Sequence, residues 1–159
     1  MIDGPYLVLA VLGVLGTGMT AGVFYAFSTF VMRGLSALPP AQGVAAMNAI
    51  NTAAVRVPFM LLFLGTAALA LAIGVVTCVV WPAEGAVLLL VGSALYLVGS
   101  FGVTVAANVP RNAALLRQEP GSAEAAGQWG RYVREWTAWN HIRTAASVAA
   151  TAAYVLALV

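Results

Sequence analysis

Three adjacent side chains near the carboxyl end of the chain could carry out proton transfer and hold an anion. Histidine is the usual acid or base near neutral pH, and the chain has one, His141. Asn140 and Arg143 lie beside it, and an amide with a guanidinium can stabilise the oxyanion that proton removal creates. Two alternatives stay open: His141 as a hydrogen-bonded residue at a helix start, and Arg143 as a cation that extends to lipid phosphates.

Metal and disulfide chemistry are not expected from the residue types. The chain has one cysteine, Cys78, so it has no intramolecular disulfide framework, and it lacks the clustered Cys and His of a zinc site. One histidine cannot ligate a haem on both sides. We therefore predict no metal site. No dense basic run occurs, so nucleic acid is not an expected partner.

Composition places these residues in a membrane protein. Of the 159 residues, 62% are hydrophobic and 8% are charged, whereas soluble domains carry about 25% charged residues. Four apolar runs are long enough to span a bilayer, at about 6–32, 57–81, 86–107 and 141–159. Backbone hydrogen bonding in lipid requires helices here. The sequence predicts one all-α membrane domain, a bundle of four transmembrane helices.

The arginines predict the orientation of the bundle. All seven basic residues are arginines, and they lie in or beside the first and third loops, whereas the short second turn carries only Glu84. By the positive-inside rule, the arginine-bearing loops face the cytoplasm and both termini lie outside.

Both cytoplasmic loops are predicted to contain interfacial amphipathic helices, at about 40–54 and 122–139. Ser122 is a plausible N-cap for the second, with Glu124 in its first turn. Aromatic residues recur along it at helical spacing. Either they form an interfacial aromatic belt or they face a substrate.

Polar residues of the four spans gather at the cytoplasmic end. Polar groups in membrane helices are costly, so this asymmetry predicts a polar cavity open toward the cytoplasmic leaflet and closed by apolar residues. The alternatives are polar contacts between helices and snorkelling arginines. Asn108 and Asn112 could instead satisfy backbone carbonyls freed by Pro110. The predicted set is Tyr25, Ser28, Asn48, Asn51, Arg56, Thr104, Asn108, Asn112, Trp136, Asn140, His141 and Arg143.

Four strings in this region resemble the anthrone oxygenase-like family of small four-span membrane proteins, most of whose bacterial members are catalogued as a domain of unknown function. The resemblance covers nearly the whole chain. It is carried by Ala21-Gly22-Val23-Phe24-Tyr25-Ala26-Phe27-Ser28, Met47-Asn48-Ala49-Ile50-Asn51, Thr104-Val105-Ala106-Ala107-Asn108-Val109-Pro110-Arg111-Asn112 and Trp136-Thr137-Ala138-Trp139-Asn140-His141-Ile142-Arg143-Thr144.

The resemblance implies cofactor-free oxidation of an anthrone to an anthraquinone by dioxygen, in a bacterial inner membrane. His141 would be the base, and Arg143 with Asn140 or Asn108 would stabilise the oxyanion. Aromatic side chains would enclose the flat rings, and polar ones would complete the substrate site. The implied substrate-binding residues are Phe24, Tyr25, Ser28, Asn48, Asn51, Thr104, Asn108, Asn112, Trp136 and Trp139.

Two other functions are compatible with the sequence. The first is a non-enzymatic membrane module that binds a quinone-like molecule, a lipid or a protein partner. The second is a small transporter, which we rank below both the oxygenase and the binding module. Ion-coupled carriers commonly place a carboxylate in mid-membrane, whereas the five acidic residues here all lie outside the apolar runs. Expected partners are thus a hydrophobic aromatic or quinone-like small molecule and membrane lipid, with a homo-oligomer left open.

Overall fold

The computed structural model describes residues 4–159, and every regular element in that range is helical. There are five helices, three of which are longer than the apolar runs that predict them because they continue into the loops. Helix α1 comprises Gly4–Ala26, a π-helical segment Phe27–Val31 and Met32–Ser36. Helix α4 comprises Ala86–Ala94, the π-helical segments Leu95–Gly102 and Thr104–Asn108, and Val109–Leu116. The other three are α2, Pro40–Ala54; α3, Val57–Val80; and α5, Ala123–Ala157.

Local sequence explains where the helices begin and end. Pro40 and Pro58 lie in the first turns of α2 and α3, where a missing N–H costs no hydrogen bond. Trp81, with φ of 46°, and Gly85, with φ of 72°, form the tight turn between α3 and α4. The predicted N-cap is confirmed, because Ser122 Oγ accepts a hydrogen bond of 3.1 Å from the backbone N–H of Ala125.

Among the described residues, three helical stretches are long and apolar enough to cross a membrane: Tyr6–Ser36, Val57–Val80 and Ala86–Leu116. The predicted run at 141–159 is not among them. The structure also has no break at the predicted boundary near residue 140. The predicted interfacial helix and the predicted last span are parts of one 35-residue helix, α5.

Four long helices form a closed ring in which α5 packs against α1 and α4, and α3 packs against the same two helices. Small residues allow close approach, as expected for helices in lipid. A Cβ added at Gly92 would lie 2.8 Å from the ring of Tyr154, and one at Gly13 would lie 3.1 Å from the same ring. Tyr154 is fully buried, and its hydroxyl is 3.0 Å from Ser93 Oγ.

A second packed layer, here called the cap, lies on the arginine-bearing end of this ring. The cap comprises α2, residues 109–116 of α4 and residues 123–139 of α5. Its core is apolar and aromatic, and the Trp129 indole lies so close to Gly43 that a Cβ there would be 2.7 Å from the ring. The core residues are Met32, Leu35, Val44, Met47, Leu115, Ala125, Trp129, Tyr132 and Trp136.

Replacing Gly43 by alanine should destabilise the cap. The new methyl overlaps the Trp129 ring, and overpacking of this kind costs about 1–3 kcal/mol. Gly127→Ala is the matched control, because a Cβ at Gly127 meets no atom within 4 Å and should raise stability by about 0.5–1 kcal/mol. Thermal unfolding in detergent, followed by circular dichroism and tryptophan fluorescence, measures both. Equal midpoints for the two variants would contradict the packing of Trp129 on Gly43.

Candidate functional site

Arg143 places a guanidinium inside the protein where the cap meets the helix ring. The side chain is 4% exposed. Its guanidinium carbon lies 4.2 Å from the centre of the Phe24 ring and 5.0 Å from that of Trp136, within the range of cation–π contacts. In-plane, Nη2 donates to Asn140 Oδ1 at 2.7 Å and Nη1 donates to Thr104 Oγ1 at 3.2 Å. Nε is buried without a hydrogen-bond partner.

The helix geometry explains why Arg143 meets these groups. Side chains on an α-helix tilt toward its amino terminus, so Arg143 extends back past Asn140 toward Trp136. Thr104 faces it from a π-helical segment of α4, and Ser28 lies in the π-helical segment of α1. Such segments are rare in helices and often occur at functional sites.

The charge of Arg143 has no counter-ion among the described residues. Its hydrogen-bond partners are neutral. Glu135 forms its ion pairs in the cap, with Arg111 at 3.3 Å and Arg131 at 2.7 Å, and the hydrogen bond from Arg131 lowers the pKa of that carboxyl. Glu84, Glu119 and Glu124 lie in the turns or at the start of α5, and Asp3 lies outside the described residues. A buried cation without an anion is costly, and such residues in membrane helices usually bind or conduct something.

Asn140 connects this cation to α1. Its Nδ2 donates to the Phe24 carbonyl and to Ser28 Oγ, each at 2.7 Å, while its Oδ1 accepts from Arg143. Ser28 Oγ is also 2.9 Å from Thr144 Oγ1. Asn140 is fully buried, and its amide therefore sets the position of the guanidinium relative to α1.

A ladder of polar contacts, here called the polar seam, joins α4 to α5 on the other side of Arg143. Ser100 Oγ is 2.6 Å from Ser147 Oγ, Thr104 accepts from Arg143, and Asn108 Nδ2 donates to the Trp136 carbonyl at 3.3 Å. At the cap end, Asn112 Oδ1 accepts from the Tyr132 hydroxyl at 3.0 Å and from Trp136 Nε1 at 2.8 Å. The four-residue spacing on α4 keeps the seam on one helix face.

The suggestion that Asn108 and Asn112 satisfy carbonyls freed by Pro110 is wrong. Both amides bond to α5, because the α4 face that carries them is turned toward that helix.

Several polar atoms at this junction are buried without a hydrogen-bond partner. Buried polar atoms in native proteins are nearly always paired, so a cluster of exceptions is typical of a place that takes up water or a ligand. The cluster draws on α2, α4 and α5. Its members are Asn48 Oδ1, Asn51 Nδ2, Asn108 Oδ1, Trp129 Nε1 and Arg143 Nε.

Four predicted residues lie at the surface. Tyr25 is 59% exposed, Trp139 is 37% exposed, and His141 is exposed without a hydrogen-bond or ion-pair partner among the described residues. Successive helix residues are about 100° apart, so when Asn140 and Arg143 face inward His141 faces outward. Arg56 is exposed at the start of α3. The remaining predicted residues are buried or half-buried: Phe24, Ser28, Asn48, Asn51, Thr104, Asn108, Asn112, Trp136, Asn140 and Arg143.

The cavities of the structure also lie elsewhere than the sequence predicts. Around Arg143 the polar groups pack on one another. A cavity of about 310 Å³ lies instead at the cap surface, where it is lined in part by Tyr132, Glu135 and Arg111. Sequence reasoning missed Tyr132 as a site residue, although its helical spacing to Trp136, Asn140 and Arg143 could have indicated it. A shallow groove of about 330 Å³ between α1 and α5 is lined by Gly18, Ala21, Gly22, Tyr25, Val148 and Thr151.

Comparison with known families gives one result. The family model described as anthrone oxygenase matches residues 47–153, which is more than half of the chain. The match begins in α2 and ends in α5, so it includes Asn108, Tyr132, Asn140 and Arg143. Neither the curated proteins nor the solved structures give a significant match.

Truncating Asn140 should destabilise the protein strongly. Asn140→Ala removes the acceptor of Arg143 Nη2 and the side-chain donor to the Phe24 carbonyl and Ser28 Oγ, at an expected cost of about 2–4 kcal/mol. His141→Ala, one residue away on the exposed face, should change stability by less than about 0.5 kcal/mol. Unfolding midpoints in one detergent compare the two. A smaller loss for Asn140→Ala than for His141→Ala would show that the described contacts do not hold the helices together.

Proposed function

The chain belongs to the anthrone oxygenase family, and from this membership we propose that it oxidises an anthrone, or a similar hydrophobic polycyclic aromatic, to a quinone with dioxygen. One structural observation supports the role most directly, namely the buried guanidinium of Arg143 with no carboxylate partner among the described residues. Such a cation favours the anionic form of a bound ligand.

The chemistry needs an anion as its first product. An anthrone has a carbon-bound proton made acidic by two aryl rings and a carbonyl, and its loss gives a carbanion with charge on the carbonyl oxygen. The carbanion reduces dioxygen and forms a carbon–oxygen bond, which gives a peroxide. Loss of the second carbon-bound proton then forms the new carbonyl while the oxygen–oxygen bond breaks, and the departing oxygen leaves as water. Carbanion formation needs no redox cofactor, and we include none.

Arg143 is suited to hold the oxygen of that anion. Phe24 and Trp136 lie against its guanidinium, and Nε is a buried donor without a partner that an oxyanion could accept from. Asn140 or Asn108 would add a second polar contact, and Phe24 and Trp136 offer aromatic surface to a flat ring. An arginine held in this way stabilises the anionic state of the bound ligand more than its neutral state, as oxyanion-stabilising groups do.

His141 is the proposed base in this scheme, and the site of proton removal then has to lie at the exposed face of α5 beside Asn140. The roles of His141 and Arg143 are separable because the two side chains point away from each other. A ligand-binding module without turnover would use the same Arg143 site for a quinone-like molecule, and it would bind without dioxygen consumption.

We further propose that α5 provides a fourth membrane span, in an inner membrane of a bacterium. Its polar residues Asn140, Arg143 and Ser147 are buried against α1 and α4, whereas Ile142, Val148 and Leu156 on its outer side are 46%, 51% and 56% exposed. Mean hydropathy does not show this division because it averages the polar inner face and the apolar outer face of α5. With four spans, the arginine-bearing cap lies in the cytoplasm and both termini lie outside.

Cysteine labelling tests this orientation. In a Cys78→Ala background, a membrane-impermeant maleimide should label Glu84→Cys in spheroplasts and should label Arg117→Cys only after the membrane is opened. Cys78 must be removed because it is exposed. Labelling of the Arg117 position in intact spheroplasts would overturn the orientation.

Dioxygen uptake tests the activity. Purified protein mixed with an anthrone should consume dioxygen faster than the uncatalysed solution, and Arg143→Gln should lower the rate about 100-fold or more, the size of effect typical for a lost oxyanion contact. Arg134→Gln, an exposed arginine on the same helix, is the matched control and should keep the full rate. His141→Ala tests separately whether His141 is the base that removes the carbon-bound proton. A wild-type rate equal to that of buffer would end the oxygenase proposal.

A further inference from the structure

Tyr132 occupies a position between water and the buried cation. Its side chain is 8% exposed and lines the cap cavity together with Glu135 and Arg131, the second of which is 76% exposed. The cavity is therefore open to solvent on one side. On its inner side, the Tyr132 hydroxyl donates to Asn112 Oδ1 at 3.0 Å, at the cap end of the polar seam.

The seam continues from that hydroxyl to Arg143. Asn112 also bonds Trp136 Nε1, and the Trp136 ring lies against the Arg143 guanidinium. One turn earlier on α4, Asn108 has a buried Oδ1 without a partner, and one turn earlier again Thr104 bonds Arg143. Tyr132 and Arg143 are the two titratable side chains among the residues of the seam, and a guanidinium does not give up its proton in a protein.

Resting on the proposed oxygenase function, we propose that Tyr132 is the catalytic acid that gives a proton to the dioxygen-derived oxygen of the substrate. The carbanion reduces dioxygen and forms the carbon–oxygen bond, and the peroxide oxygen takes the phenolic proton. The Tyr132 oxygen recovers a proton from water in the cap cavity. The second carbon-bound proton then leaves to the base, the carbonyl forms, and the oxygen–oxygen bond breaks to release hydroxide, which is protonated to water.

The surroundings of Tyr132 favour its role as a proton donor over a role as a base. Burial raises the pKa of Tyr132, so the hydroxyl keeps its proton at neutral pH until a strongly basic oxygen lies beside it. The positive charge of Arg143 favours the phenolate that is left after the transfer. Trp129 stacks on the Tyr132 ring with centroids 5.7 Å apart and limits the ring to one orientation.

The test separates carbanion formation from the reaction with dioxygen. Without dioxygen, exchange of the acidic carbon-bound hydrogens of an anthrone for deuterium from D2O reports carbanion formation; with dioxygen, uptake reports the whole reaction. Tyr132→Phe should keep the exchange rate within about two-fold of wild type and lower dioxygen uptake about 100-fold. Asn112 keeps its hydrogen bond from Trp136 in this variant, so the seam loses one contact only.

Tyr154→Phe is the control, because it removes another buried tyrosine hydroxyl, the partner of Ser93 at the opposite end of the helix ring. It should leave both rates unchanged. Unchanged uptake in Tyr132→Phe would overturn the assignment, and so would an equal loss of exchange and uptake, which indicates a structural role. Absence of both reactions in the wild type would instead refute the oxygenase function and, with it, the role of Tyr132.

Discussion

A guanidinium buried with no counter-ion among residues 4–159 is the constraint on which the rest of this structure depends. The environment of Arg143 consists of two aromatic rings, an amide and a hydroxyl, all neutral. Neutral groups lower the cost of burying the cation without cancelling its charge. The site is thereby stable when empty and still attracts an anion, which is the combination that stabilisation of a carbanion requires.

The two layers of the protein give this cation two different environments. Below it, the helix ring is closed by small and apolar residues around Tyr154, and its outer surface is apolar. Above it, the cap carries Arg111, Arg131 and Arg134 and a solvent-open cavity. In the proposed function, a hydrophobic aromatic substrate would arrive from lipid, and protons would be exchanged with water through the cap. Tyr132 and the polar seam lie at the boundary between the two layers.

Composition and apolar periodicity were sufficient to predict an all-helical membrane protein, and the Ser122 cap was readable from the sequence. The four-residue spacing of Thr104, Asn108 and Asn112 indicates that they share one face of α4, although neither the partner helix nor the bonds they make could be predicted from it. The outward position of His141 was not readable from its proximity to Asn140 and Arg143 in the chain, because proximity does not determine which face of a helix a residue occupies. The π-helical segments and the role of Gly43 depend on tertiary packing, which no local pattern encodes.

The charge of Arg143 can be measured through the ionisation of a bound ligand. A hydroxyanthraquinone is flat, is not oxidised further by the proposed reaction, and changes colour when its phenol ionises. Bound to the wild type, its pKa should fall by about one unit or more, and Asn140→Asp, which places a carboxylate beside Nη2, should cancel the shift. A bound ligand with the same pKa in the wild type and in Asn140→Asp would contradict an uncompensated cation at this site.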